Sequence, residues 1–319
     1  MAKKSSTPIS KQHIVLCGPM GVGKSTIARP LAAETGLPVF SLDRLRNLPH
    51  LDIINSELVA IRQELLETDQ ALLREFDPKK FAELKKERDS LLEDIEIWES
   101  QRQLREDPRI GDALPNYDDM KYDFRVSARL MEIAKANGIN KNIAWHYYQN
   151  YFEIMLMKQF VSNLGEKAII DLGGNMPIVL AEECLAFERI LEGMGQEGAE
   201  LLAAMPLRAK DMPKATEDVL ELFDKSKIVS LHLAPTYNEP VIDGAQNPDY
   251  NEKAAKSNLN PYFVNSGQFD AVAGVTIETQ GMVQYIDGQT VLNAKVGEAI
   301  AATIVSRTAE KTDTNTLSM

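Results

Sequence analysis

The chain has 319 residues, of which 44% are apolar and 26% charged, with a net charge of −12. This composition excludes fibrous and wholly disordered classes, and the acidic balance argues against a nucleic-acid or anionic-membrane partner. No apolar run approaches the roughly 18–20 residues of a membrane span, and the two cysteines, Cys17 and Cys184, indicate neither a disulfide framework nor a zinc site. We therefore expect a folded, cytoplasmic protein.

The amino-terminal residues have the pattern of a strand, a loop and a helix. Residues 13–17 are apolar and precede a glycine, and residues 26–35 form a helical pattern that Gly36 ends. Residues 37–42 (LPVFSL) predict a second strand, which Asp43 follows.

A charged, glycine-free stretch follows from about residue 55 to residue 105. Apolar residues recur there at helical spacing on both sides of the breaker Asp77-Pro78, which predicts an antiparallel, coiled-coil-like hairpin. We place this hairpin in an inserted helical region at 44–139, where another helix is predicted at 124–136.

The remaining pattern alternates helices with short strands. A helix is predicted at 143–163, strands at 167–172 and 227–233, an edge strand at 271–278, a last helix at 291–306 and a disordered tail at 307–319. Strands separated by helices indicate a parallel sheet with helices on both faces. The predicted class is α/β, with a core that comprises residues 13–43 and 140–306.

One motif carries the strongest chemical signal. The sequence GPMGVGKS, residues 18–25, fits GxxxxGK[ST] and lies between a predicted strand and a predicted helix. Such a loop cradles phosphates with its amides, its lysine reaches the β- and γ-phosphates, and its serine holds Mg²⁺. The predicted ATP-binding residues are Gly18, Gly21, Val22, Gly23, Lys24, Ser25 and Thr26, with Lys24 also catalytic. The alternatives are a turn that binds nothing and a loop that binds nucleotide without catalysis.

Five further residues are candidates at the ends of predicted strands. Asp43 would orient an acceptor hydroxyl and accept its proton, and Arg46 would contact the acceptor. Asp171 would bind Mg²⁺ with Ser25, and the turn of Gly173 and Gly174 would let substrate approach the backbone. The alternative is that both aspartates only cap turns and that Arg46 is a solvated side chain.

Several segments together resemble shikimate kinase. The sequence GPMGVGKSTIARPLA at 18–32 is similar to the opening of that family, IIDLGGN at 169–175 to its glycine turn, and Asn260-Pro261-Tyr262 to its ending. The resemblance implies a P-loop kinase that transfers phosphate from ATP with Mg²⁺. Phe152 and Leu259 stand where the family has arginines for the shikimate carboxylate, so a different acceptor is expected.

A second resemblance concerns the segment Ser41-Leu42-Asp43-Arg44-Leu45-Arg46, which is similar to the S-x-D-x-x-R segment of polynucleotide-kinase-like and nucleoside-monophosphate kinases. The leading hypothesis is an ATP- and Mg²⁺-dependent phosphotransferase with a small-molecule acceptor. The alternative hypothesis is a nucleotide-binding, degenerate kinase that meets a protein partner through its helical insertion.

Overall fold

A computed structural model describes residues 7–117, 122–174, 176–205, 207–256, 267–286 and 289–313. The chain forms two compact units. The first contains the described residues up to 46 and from 122 onward, and the second contains those from 47 to 117.

The first unit contains a five-stranded sheet with the order β2-β3-β1-β4-β7, and its neighbouring strands all run parallel. The predicted α/β class and parallel sheet are confirmed. The strands of this sheet are β1 (Ile14–Cys17), β2 (Val39–Ser41), β3 (Ile169–Asp171), β4 (Ile228–His232) and β7 (Val275–Glu278). Two small antiparallel hairpins pair β5 (Val241–Ile242) with β6 (Ala245–Gln246) and β8 (Val283–Ile286) with β9 (Gln289–Leu292).

Helices cover both faces of the sheet. The helices of this unit are α1 (Lys24–Thr35), α2 (Leu42–Arg46), α6 (Phe124–Ala136), α7 (Lys141–Asn163), α8 (Ala181–Glu192), α9 (Gly195–Ala203), α10 (Met212–Leu220), α11 (Glu252–Ala255), α12 (Gln268–Val272) and α13 (Ala294–Asp313). Helices α1 and α13 pack on one face, where Ile27, Leu31 and Ile304 are fully buried against strand residues. On the opposite face, Phe40 of β2 meets Phe160 of α7 edge to face at 5.1 Å.

The second unit is built on helices α3 (Leu51–Leu72), α4 (Pro78–Glu106) and α5 (Pro108–Ala113). Helices α3 and α4 pack together as a hairpin. Asp77 caps α4 by accepting a hydrogen bond from the Lys79 amide at 2.9 Å, and Pro78 occupies the first turn, where its missing N–H costs nothing. The breaker expected between the two helices is therefore also the start of the second one.

Some boundaries differ from the predicted ones. Helix α6 packs on α7 and belongs to the first unit, so the second unit is shorter than the predicted insertion at 44–139. The last helix begins at 294 rather than 291, because residues 289–292 pair in a hairpin, and it continues to Asp313, through the first part of the predicted tail. Residues 314–319 lie outside the described residues.

The second strand also ends earlier than predicted. It stops at Ser41, and the short helix α2 follows at once. Leu42 and Leu45 are both buried, and their spacing of three residues suits one face of a helix rather than a strand. Asp43 and Arg46, also three residues apart, thus share another side of the same helical turn and form an ion pair.

Candidate functional site

The loop between β1 and α1 has the backbone conformation that its glycines permit. Gly18, Gly21 and Gly23 have φ values of 143°, 83° and 92°, in a region that residues with a Cβ rarely adopt. At Gly18 a Cβ would also lie 2.5 Å from the carbonyl oxygen of Leu231, so this position has no room for a side chain. Val22 is buried in the core and anchors the loop from below.

Lys24 lies at the first position of α1, and its ammonium group hydrogen-bonds to the start of the loop. Its Nζ donates to the carbonyl oxygens of Gly18 at 2.8 Å and Pro19 at 3.2 Å. The side chain is buried, which strengthens its electrostatic interactions relative to those of a solvated lysine. Thr26 follows in the first turn, where its amide donates to Gly23. The loop, the first turn of the helix and the Lys24 cation are therefore held together by hydrogen bonds, as phosphate binding requires.

Ser25 and Asp171 lie side by side because β3 is the direct neighbour of β1. Leu16 pairs with Asp171 in register, and Ser25 Oγ is 3.4 Å from Asp171 Oδ2. Burial raises the pKa of the Asp171 carboxyl, and nearby Lys24 opposes that rise. A serine hydroxyl and a carboxylate are hard oxygen donors of the kind that Mg²⁺ prefers, so this pair fits a magnesium ion.

The turn after β3 connects the pair of Ser25 and Asp171 to Asp43. The amide of Gly173 donates to Asp171 Oδ1 at 3.0 Å, and Gly173 has a φ of 71°. A Cβ on Gly173 would lie 2.8 Å from Asp43 Oδ1, and one on Gly174 would lie 3.7 Å from the Cβ of Met20 in the phosphate loop. The two glycines therefore let Asp43 and the phosphate loop approach the same turn.

Asp43 is held from its other side by an arginine. Arg46 Nη1 lies 3.3 Å from Asp43 Oδ1, and it also donates to Glu153 Oε1 on α7. The Asp43 side chain is 50% exposed, whereas those of Arg46 and Glu153 are 10% and 0% exposed. The guanidinium also lies 5.9 Å from the ring centroid of Tyr122. Arg46 thus links a buried acid to an accessible one.

Glu153 was not a candidate on sequence grounds. Its Oε1 accepts from Arg46 and from Gln149 Nε2 at 2.6 Å, while its Oε2 is buried and has no hydrogen-bond partner among the described residues. Burial raises the pKa of Glu153 from 4.5 to about 8, with Arg46 opposing and Asp43 adding to the rise. The helical pattern of α7 predicts burial at this position, but no local signal marks the acid as a partner of Arg46.

Asn251 is a second residue that the sequence did not single out. Its Nδ2 donates to the carbonyl oxygen of Gly21 at 2.9 Å, its Oδ1 accepts from the Ala254 amide at 3.0 Å, and it is 1% exposed. It therefore caps α11 and at the same time ties that segment to the phosphate loop. The only sequence signal is an asparagine before a short helix, which is also what an ordinary cap looks like.

The structure brings the predicted candidates to one edge of the sheet. Loop residues 18–26, Asp171, the glycine turn and Asp43 form a continuous series of contacts. Arg46 joins this series, but its guanidinium is engaged by Asp43 and Glu153. Its contact with an acceptor, and the individual roles of the other residues, stay predictions.

Comparison with known proteins gives one match. A sequence model of the family described as ATPase family associated with various cellular activities (AAA) matches residues 14–78, which include the phosphate loop, Asp43 and Arg46 but not Asp171. No curated protein and no solved structure matches the chain, and nothing in these comparisons supports shikimate kinase in particular.

The fold and this match define the class of the protein. It is an α/β protein with a P-loop NTPase domain, for which nucleotide binding is supported. No helix within the described ranges has the length and apolar character that crossing a bilayer requires.

Proposed function

We propose that the protein is an ATP- and Mg²⁺-dependent phosphotransferase that moves the γ-phosphate to a hydroxyl group of a small-molecule acceptor. The observation that carries this proposal is the position of Asp43. A half-exposed carboxylate lies against the Gly173 turn, and that turn is bonded to Asp171, which contacts Ser25 of the phosphate loop. A phosphotransferase needs a residue that orients the acceptor hydroxyl and accepts its proton, and the Asp43 carboxylate is proposed for this role.

The chain's own residues divide the chemistry among them. Lys24 and the loop amides would stabilise the charge that develops on the transferring phosphoryl group. Ser25 and Asp171 would hold Mg²⁺, which when bound neutralises phosphate charge. Asp43 would align the acceptor hydroxyl and take its proton, with Arg46 fixing the carboxylate's orientation. Catalysis would then consist mainly of positioning and electrostatic stabilisation.

The domain assignment is part of the same proposal. Residues 13–43 and 140–306 would form the kinase core, parts of which resemble shikimate kinase in sequence. The helical insertion follows Asp43 directly, at the place where such kinases bind their acceptor. The absence of arginines at positions 152 and 259 favours an acceptor other than shikimate.

The first experiment measures nucleotide binding and then transfer. Calorimetry with Mg²⁺ and ATP or GTP should give saturable heat, and a screen of hydroxylated compounds should identify an acceptor. An Asp43→Asn variant should keep its nucleotide affinity within about twofold and lose at least about 100-fold of the transfer rate, as expected for loss of a general base. Asp218→Asn is a matched control, because Asp218 is similarly exposed and paired with Lys214 on its own helix.

Two results would contradict the proposal. One is an Asp43→Asn variant that transfers phosphate at the wild-type rate. The other is hydrolysis of ATP by water that no hydroxylated acceptor diverts, which would indicate an ATPase.

A second candidate function is that of a nucleotide-binding interaction protein. The observation in its favour is a set of exposed apolar residues in the helical unit: Val59, Leu66 and Leu73 recur at intervals of seven and are 68%, 52% and 84% exposed, and Phe76 is 92% exposed. Large exposed apolar surfaces often mark partner-binding sites. Tight nucleotide binding without turnover on any acceptor would favour this second function over the first.

A further inference from the structure

A pocket of about 320 Å³ opens beside the pair of Ser25 and Asp171, between α1 and the end of β2. Ser25 and Asp171 line one side of it, and Val39 and Ser41 line another. Its volume is at the lower end of the range for small-molecule sites. The pocket shares its wall with the catalytic edge of the sheet but does not include the loop glycines.

Two arginines that were not site candidates on sequence grounds complete the wall. Arg29 projects from the second turn of α1, and Arg44 belongs to α2. Both are exposed, and neither side chain has an ion pair or hydrogen bond within the part of the chain that the structure describes. The chain as a whole is acidic, with a net charge of −12, so two guanidinium groups without ion-pair partners at one small pocket depart from its overall charge.

The charges around the pocket favour binding of an anion. Guanidinium groups donate planar pairs of hydrogen bonds that match a phosphate or a carboxylate. The one acidic side chain among the lining residues is Asp171, whose charge a bound Mg²⁺ would offset. Arg46 cannot serve the same purpose in this conformation, because Asp43 and Glu153 already engage its guanidinium.

The pocket is connected to the proposed base through two of its lining residues. Arg44 directly follows Asp43 in α2, and Asp171 both lines the pocket and bonds to the turn that Asp43 touches. A molecule with a hydroxyl group at Asp43 and an anionic group that reaches Arg44 would use both places. We infer that Arg29 and Arg44 bind the anionic group, phosphate or carboxylate, of a hydroxylated acceptor; this inference rests on the proposed function.

The test uses three small probes that share hydroxyl groups and differ in charge: glycerol 3-phosphate, glycerate and glycerol. The full-length protein is first saturated with Mg²⁺ and a non-hydrolysable ATP analogue, so that the phosphate loop itself is occupied. Calorimetric titration then measures the affinity of each probe. The two anionic probes should bind, the phosphate ester more tightly, and glycerol should not.

Arg29→Gln and Arg44→Gln should each weaken binding of the anionic probes by about tenfold or more, the usual effect of losing a charged hydrogen-bonding partner. Their affinity for the nucleotide should stay within about twofold of wild type. Arg189→Gln is the matched control, because Arg189 is an exposed arginine on α8 that lines a different pocket. It should change neither affinity.

Several results would overturn the inference. These are unchanged probe affinity in both arginine variants, equal affinity for glycerol, no binding of any anion by the loaded wild type, or an equally large loss of nucleotide affinity, which would assign the arginines to the nucleotide. Failure of the proposed function looks different, because the unmodified protein would then transfer no phosphate to any hydroxylated acceptor, whereas the titrations above measure only binding.

Discussion

Replacing Glu153 by glutamine tests the buried network behind Asp43. In the folded protein the pKa of Glu153 is raised from 4.5 to about 8, because its carboxylate is fully buried and one oxygen lacks a partner. Between these two pH values the folded state holds a proton that the unfolded state has lost. The free energy of unfolding therefore falls as pH rises from about 4.5 through about 8.

The size of this effect follows from the two pKa values. At about 1.4 kcal/mol per pKa unit, the rise corresponds to up to about 5 kcal/mol of stability lost between pH 4 and pH 9. Glutamine is neutral at every pH and can still accept hydrogen bonds from Arg46 and Gln149. Glu153→Gln should thus match wild type near pH 4.5 and be the more stable protein at pH 9.

The measurement is urea unfolding at pH 5, 7 and 9, with tryptophan fluorescence as the signal that reports unfolding. Both proteins should carry Trp98→Phe, since Trp98 lies in the helical unit and Trp145 lies on α7 with Glu153. Glu200→Gln, at an exposed site on α9, is the control and should parallel wild type. If the stability difference between wild type and Glu153→Gln does not change with pH, the assigned burial of this charge is wrong.

Three further substitutions test the nucleotide site. Lys24→Met should reduce the affinity for Mg²⁺-ATP by at least about tenfold and leave the thermal midpoint of unfolding unchanged. An unchanged affinity in calorimetry would refute the proposed contact of Lys24 with the phosphates. Gly173→Ala should lower the free energy of unfolding by about 1–3 kcal/mol, because Gly173 has a φ of 71° and a Cβ there would press on Asp43. The variant should also transfer phosphate more slowly. Wild-type stability in chemical unfolding would contradict this prediction. Asn251→Ala removes the hydrogen bond to Gly21 and should weaken nucleotide binding several-fold, mainly by faster dissociation. Stopped-flow measurements give the dissociation rate. An unchanged rate would show that this hydrogen bond does not contribute to nucleotide binding.

Much of the fold could be predicted from the chain because its signals are local. The sequence pattern placed a helix at 124–136, and the structure has α6 at those residues. Glycine and proline marked the end of α1 and the start of α4. The short elements were harder: α2 replaces the end of a predicted strand, and the hairpin of β8 and β9 occupies residues assigned to a helix and its approach. Such elements contain too few residues for periodicity to decide, and tertiary packing fixes them.

The phosphate loop is what the sequence by itself determined. Its eight contiguous residues carry their own conformation, since glycines permit the positive φ angles and the following helix supplies amides and a lysine. The rest of the site depends on contacts between distant parts of the chain. Asp171 meets Ser25 only because β3 pairs with β1, and Glu153 reaches Arg46 from a position 107 residues away. No local pattern encodes such contacts, because they exist only once the sheet order and the packing of α7 have brought those residues together.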